Sequence, residues 1–254
     1  MKITIKKPRK TNKDRPDAGC LVCGAELVYG AAARRVCAIC SGEFDAEARC
    51  ENDHFVCDAC HSRGAADVIA AICRATTSTD AWTIATELMR SPAVAMFGPE
   101  HHVLVGAALL AAYCNATSSG DKLADWLATV LRRGAQVPGG TCGHWGACGA
   151  AISAGIFLST VTESSPMTRR GSWKARPQLD AYALCNRLTA RCLAAVGDVG
   201  GPRCCKRSVG LVVRESVAFL REELGVELPQ PRIVCEFAGS GAGCLGAACV
   251  FARE

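Results

Sequence analysis

The stretch CLVCGAELVYGAAARRVCAICSGEFDAEARCENDHFVCDACH, residues 20 to 61, constrains this chain more than any other segment. Cys20 and Cys23 form a CxxC, Cys37 and Cys40 form another, and thirteen residues separate the two pairs. Cys50, His54, Cys57 and Cys60 follow as C-x3-H-x2-C-x2-C, with His61 adjacent. Two residues between thiolates let a tight knuckle aim both sulfurs at one tetrahedral ion, and zinc favours thiolate and imidazole. Eight ligands make two closed four-ligand sites, paired either sequentially or in cross-brace, and the spacing does not choose between them. A segment this small cannot fill an apolar core, so metal has to hold it folded. A ferredoxin-type cluster in this segment would need its cysteines bunched more tightly. The expectation is a double zinc-knuckle module, zinc-ribbon or treble-clef-like, over residues 18–63.

The basic charge lies almost entirely ahead of that module. Residues 1–17 carry seven Lys or Arg against two Asp, and the remaining 237 residues balance with 22 of each sign. The segment lacks the apolar core and small-residue cleavage site of a secretion signal, and reads as a basic disordered tail. Its charge offers a contact for nucleic acid or an acidic partner. The charge-neutral remainder and an aromatic content of 6% argue against a nucleic-acid footprint. Without a secretion signal the chain is expected in the cytoplasm, where its 18 cysteines stay reduced and serve metal or redox sites.

From Gly64 the pattern turns helical, and residues 64–254 read as one mostly α, cysteine-rich domain. STDAWTIATELMRS offers Ser78 or Thr79 as an N-cap. GPEHHVLVGAALLAAYCN places Pro99 at a first helical position and Glu100 near the positive helix end. DKLADWLATVLRRG has a helical period and stops on Arg132, Arg133 and Gly134. Two further helices are expected in QLDAYALCNRLTARCLAAV and RSVGLVVRESVAFLREELGV, with linkers at SPMTRRGSWKARP and GVELPQPR. The uncharged run Val137–Thr162 is long enough to raise a membrane span, but its first third is Pro, Gly, Cys and His. It reads as a buried helix, with no membrane partner. No dinucleotide fingerprint or phosphate-binding loop is present.

Three loops carry the remaining chemistry. CGHWGAC puts Cys142 and Cys148 six residues apart among glycines that permit a sharply bent backbone. GGPRCCKR places Cys204 and Cys205 between cations at a helix start, a setting that favours thiolate. CEFAGSGAGCLGAAC spaces Cys235, Cys244 and Cys249 as ligands to a third zinc or an Fe–S centre. Glu100 and His101 join Cys142, Cys148, Cys204 and Cys205 as catalytic candidates. His102, one residue on, points about 100° away, so at most one of the two imidazoles faces a given site. Cys73, Cys114, Cys185 and Cys192 lie in apolar helical runs and read as core residues.

ARCENDHFVCDACHS, GPEHHVLVGAALLAAY, VPGGTCGHWGACGAA, GGPRCCKR and CEF…CLGAAC together resemble a cysteine-rich prokaryotic family known as a domain of unknown function. The resemblance runs from about Cys20 to the end and implies an origin in anaerobic bacteria or methanogenic archaea, without implying an activity. Relatives carry an aromatic such as Phe where this chain has His144, which speaks against a general ligand role there. The reading that joins these features is an intracellular metalloprotein with two structural zinc ions. Its helical domain would do redox, sulfur-transfer or related thiol or Fe–S chemistry, with a redox or sulfur-carrier partner. The alternative is a zinc-stabilised adaptor, not an enzyme, that binds nucleic acid or a protein.

Overall fold

A computed structural model describes residue 20 and residues 25–38, 41–91, 93–241 and 243–252. The basic segment 1–17, Cys23, Cys40 and the His61 side chain lie outside what is described. The chain divides into two compact units between Phe55 and Val56.

The first unit is built on an antiparallel hairpin of β1 (Leu27–Val36) and β2 (Glu43–Cys50). Leu27 pairs with Cys50 and Val36 with Glu43, and the register is irregular between Tyr29 and Ala33. The Gly-Ala centre of β1 has no apolar alternation, so the strands were not evident in the sequence pattern. Most of β1 is exposed, and a lone two-stranded ribbon is marginal in water without something to fasten its ends.

The second unit is helical, and order begins at Asp58, six residues before the Gly64 expected from the pattern. Its elements are α1 (Asp58–Ala75), α2 (Ala81–Arg90), α3 (His101–Ala116), α4 (Leu123–Gly134), the short α5 (Thr141–His144), α6 (Gly149–Val161), α7 (Ala181–Val199) and α8 (Cys205–Leu224). The cap of α2 is Asp80, whose carboxylate accepts from the Trp82 and Thr83 amides at 2.9 and 3.3 Å. Ser78 and Thr79 lie outside the helix, and Ser78 instead accepts from the Asp80 amide. Asp180 caps α7 in the same way through the Ala183 amide. Pro99 sits in the turn just ahead of α3 rather than within it.

Helix α3 is buried around nearly its whole circumference and packs on α1, α2, α4, α6 and α8. Helix α6 is similarly enclosed, between α3, α4, α7 and α8. This is why the run around α6 carries no charge. Its helix is 13 residues long, and among the described residues no helix is long and apolar enough to cross a membrane. The small residues along α6 set how close its neighbours come. The Ser153 hydroxyl accepts from the Gly106 amide of α3 at 2.9 Å, and Gly155 faces Thr189 of α7. Gly149 lies under the His102 ring, where a Cβ would come within 2.2 Å of the ring carbons. Cys73, Cys114, Cys185 and Cys192 are buried as expected, and desolvation pushes the thiols of Cys73 and Cys192 up to about 12.

At Gly106 an added methyl would lie 2.8 Å from the Ser153 carbonyl oxygen, which belongs to backbone and has no easy way to retreat. Gly106→Ala is expected to lower stability by about 1–3 kcal/mol in urea unfolding, the cost of overpacking. Gly197→Ala, in α7 with open space around it, is expected to raise stability by up to about 1 kcal/mol through helix propensity.

Candidate metal and thiol centres

Two groups of buried or half-buried donors stand out. Cys20, Cys50 and His54 bring their ligand atoms within 4.8 Å of one another, and so do Cys37, Cys57 and Cys60. Among the described residues these are the groups of three or more donors that close this tightly. The local backbone explains the first. Cys50 and His54 bracket a tight turn in which the Asp53 amide donates to the Cys50 carbonyl at 2.8 Å, with Asp53 at φ 64°. The Cys50 amide donates to the His54 carbonyl, and the His54 amide donates to Cys50 Sγ at 3.2 Å. The hairpin register carries Cys50 back beside Leu27 and so toward Cys20. In the second group, Cys37 bridges Phe55, and Cys57 is the N-cap of α1 with Cys60 in its first turn.

The two groups therefore interleave along the chain, the choice that spacing left open: Cys20 joins Cys50 and His54, and Cys37 joins Cys57 and Cys60. Three donors of thiolate and imidazole character in a cluster this tight fit a tetrahedral metal ion. Cys23 and Cys40, the expected remaining ligands, lie outside the described residues.

In the body, the seven loop cysteines sort into two sets. CGHWGAC is a short helical turn, α5, followed by the start of α6, with Cys148 as the N-cap. Cys142 is exposed beside an exposed Trp145, whereas Cys205 is withdrawn into the first turn of α8. Cys205 feels the charges of Cys148 and Cys142, which places these three thiols in one neighbourhood. Burial pushes the Cys205 thiol up to about 11, outweighing the Gly98 amide and Arg203, which pull it down. The thiolate expected from the cationic flanks is thus opposed by desolvation. The same Gly98 accepts from His101 Nδ1 at 3.0 Å through its carbonyl. His101 and Glu100 are both 1% exposed, and the His101 ring senses Lys206 and Arg203, so the PEHH turn abuts the CCKR turn. His102 points elsewhere, donating from Nδ1 to the Val137 carbonyl at 3.0 Å.

Cys204 belongs to the other set. It is the N-cap of α8, its sulfur accepting from the Arg207 amide at 3.5 Å, and it shares a cavity with Cys235, Cys244 and Cys249. Cys235 feels the charges of all three others. Burial raises the Cys235 thiol, while the Gly239 and Gly246 amides, 3.2 and 3.4 Å from Cys244 Sγ, lower that of Cys244. Contacts tie the tail to the helix start, to itself and to the end of α2. A Cβ at Gly243 would lie 2.2 Å from the Arg203 carbonyl oxygen, the Cys235 amide donates to the Phe251 carbonyl at 2.8 Å, and Arg90 grips Glu236 with two hydrogen bonds of 2.8 and 2.6 Å.

Two residues of the cavity were not singled out from sequence. Lys206 and Arg207 are 4% and 5% exposed. Lys206 Nζ donates to the Met89 carbonyl at 3.3 Å, near the end of α2, and lies 4.9 Å from the Phe237 ring. Arg207 donates to the Gly200 and Pro202 carbonyls at 2.9 and 2.6 Å. In sequence they are two more cations after CC; only their burial distinguishes them.

A protein-family model described solely as a family of unknown function matches residues 69–252, beginning within α1 and after the cysteine–histidine stretch. No curated protein and no solved structure matches the chain.

Removing metal with a chelator is expected to collapse the hairpin unit while α3 and α6 stay folded, read as selective loss of amide-exchange protection in residues 25–55. Burial holds His101 well below its ordinary value and lowers His102 as well. The unfolded chain takes up protons at these sites below about pH 6.5, while the folded protein resists, so stability falls as pH drops through that value. His101→Gln should flatten this slope in urea titrations between pH 7.5 and 5.

Proposed function

The chain belongs to the family of unknown function DUF5714, and from that starting point we propose that it is a metalloprotein whose helical body performs thiol exchange. Two zinc ions hold the amino-terminal module, one ligated by Cys20, Cys23, Cys50 and His54, the other by Cys37, Cys40, Cys57 and Cys60. Their donor sets are closed and leave no open position, so they serve structure and not catalysis. Chemistry falls to the thiols of the body.

One observation carries this reading: an exposed thiol, Cys142, shares its electrostatic surroundings with a withdrawn one, Cys205. Cys142 attacks one sulfur of a substrate disulfide as thiolate, forming a mixed disulfide and releasing the first substrate thiol. Cys148 or Cys205 then attacks Cys142 Sγ, releases the second substrate thiol and leaves an internal disulfide. An external dithiol, the redox partner, restores both thiols and is itself oxidised to a disulfide. Trp145, 68% exposed, offers an apolar face beside the attacking sulfur for the substrate.

A second reading, the zinc-stabilised adaptor, draws on the hairpin, where Leu27, Val28, Tyr29, Val36 and Phe44 are all exposed. It requires no thiol in the body to react.

Equilibration in glutathione buffers followed by alkylation and peptide mapping separates the two. Thiol exchange predicts one disulfide among Cys142, Cys148 and Cys205, titrating as a two-electron couple and lost in Cys142→Ser. Independent alkylation of all three at every potential would sink it and leave the adaptor.

A further inference from the structure

The exchange chemistry makes no use of the second set of sulfurs, and their surroundings are more elaborate than packing requires. We infer that Cys204, Cys235, Cys244 and Cys249 together hold a four-iron iron–sulfur cluster in the cavity between the start of α8 and the carboxyl-terminal loop. The inference rests on the reading of the body as a metal-and-thiol domain, but not on the exchange reaction at Cys142.

Four independent features point to it. The first is the ligand count: four cysteines from two separate chain segments line one cavity, and cysteine in fours is the common ligand set of such clusters. The second is the close seating of the loop: at Gly243, one residue before Cys244, a Cβ would lie 2.2 Å from the carbonyl oxygen of Arg203, one residue before Cys204.

The third feature is amide donation to sulfur. Cys244 Sγ accepts from Gly239 and Gly246, Cys204 Sγ accepts from Arg207, and the Phe237 amide donates to Cys235. Hydrogen bonds to the sulfurs are among the levers that set cluster potential. They recur here on three of the four thiols and resemble the His54 amide on Cys50 in the tighter site. The fourth is charge. The cavity lining includes the buried cations Lys206 and Arg207 and no carboxylate, within a wall of Trp82, Met96, Phe237 and Phe251. An all-thiolate cluster is anionic, and two fixed cations in an apolar wall suit an anion.

Adjacency gives the arrangement its functional sense. Cys204 and Cys205 are consecutive, so a cluster on the first would stand one residue from a thiol of the exchange set.

The test is anaerobic purification of the full chain, or its reconstitution with ferrous iron and sulfide, followed by metal and sulfide analysis. The expected result is about four irons and four sulfides per chain in addition to zinc, with broad visible absorption that bleaches on reduction. Cys204→Ser, Cys235→Ser, Cys244→Ser and Cys249→Ser should each cost most of the iron and leave the zinc unchanged. Cys205→Ser and Cys142→Ser should retain the cluster, so that loss of exchange and loss of iron are read separately. Vibrational spectra of the iron–sulfur bonds in the unmutated protein, showing all-cysteine ligation, supply the same readout should a variant fail to fold. A third zinc with no iron after reconstitution overturns the assignment. So does full iron content in the Cys204→Ser protein, or equal loss in Cys205→Ser.

Discussion

Cys204 caps α8 from extended backbone while Cys205 opens its first turn, and that change of conformation sends the two neighbouring sulfurs apart. One sulfur caps α8 and turns to the carboxyl-terminal loop; the other enters the first turn and faces the PEHH and CGHWGAC segments. A single vicinal pair acting as one unit would have bound the three cysteine loops into one centre. The backbone instead parts them between two sets of cysteines on one helix start.

What allows helix starts and loops to approach so closely is the lack of side chains. Gly149 admits the His102 ring, Gly106 admits Ser153, and Gly243 lets the tail lie on the Arg203 carbonyl. Each is a place where a single methyl group meets something that cannot give way easily. The abundant Ala and Gly are the means by which α3 and α6 become enclosed on nearly every side. The same enclosure explains an apolar run that resembles a membrane segment in composition but is only 13 helical residues long.

Legibility in the sequence followed the range of the interaction. The candidate metal ligands between Cys20 and Cys60 were readable because CxxC and C-x3-H are local devices, set by two or three dihedral pairs. How those knuckles combine was not, because it depends on the pairing of Leu27 with Cys50 across a hairpin whose strands carry no period-two pattern. Helices α4, α7 and α8 stood where their periodicity put them, whereas the α2 cap was misplaced by one or two residues. Asp80 won over Ser78 because its carboxylate satisfies two amides at once. For the thiols of the body, the loops were evident and the partition was not: nothing in CCKR taken alone tells which sulfur faces which neighbour, or that both following cations are buried.

The interleaving of the two amino-terminal donor groups has an effect on how this unit comes into being. An ion bound at each group would close a loop that begins before the other loop has ended, so the earliest cysteine waits some thirty residues for Cys50 and His54 to arrive. A sequential pair of knuckles could assemble one after the other as the chain is made. Here the second begins before the first is complete, and both closures draw on the same restriction of the unfolded chain. Metal bound during synthesis would therefore find the first donor group complete at His54, with the loop opened at Cys37 still waiting for Cys57 and Cys60.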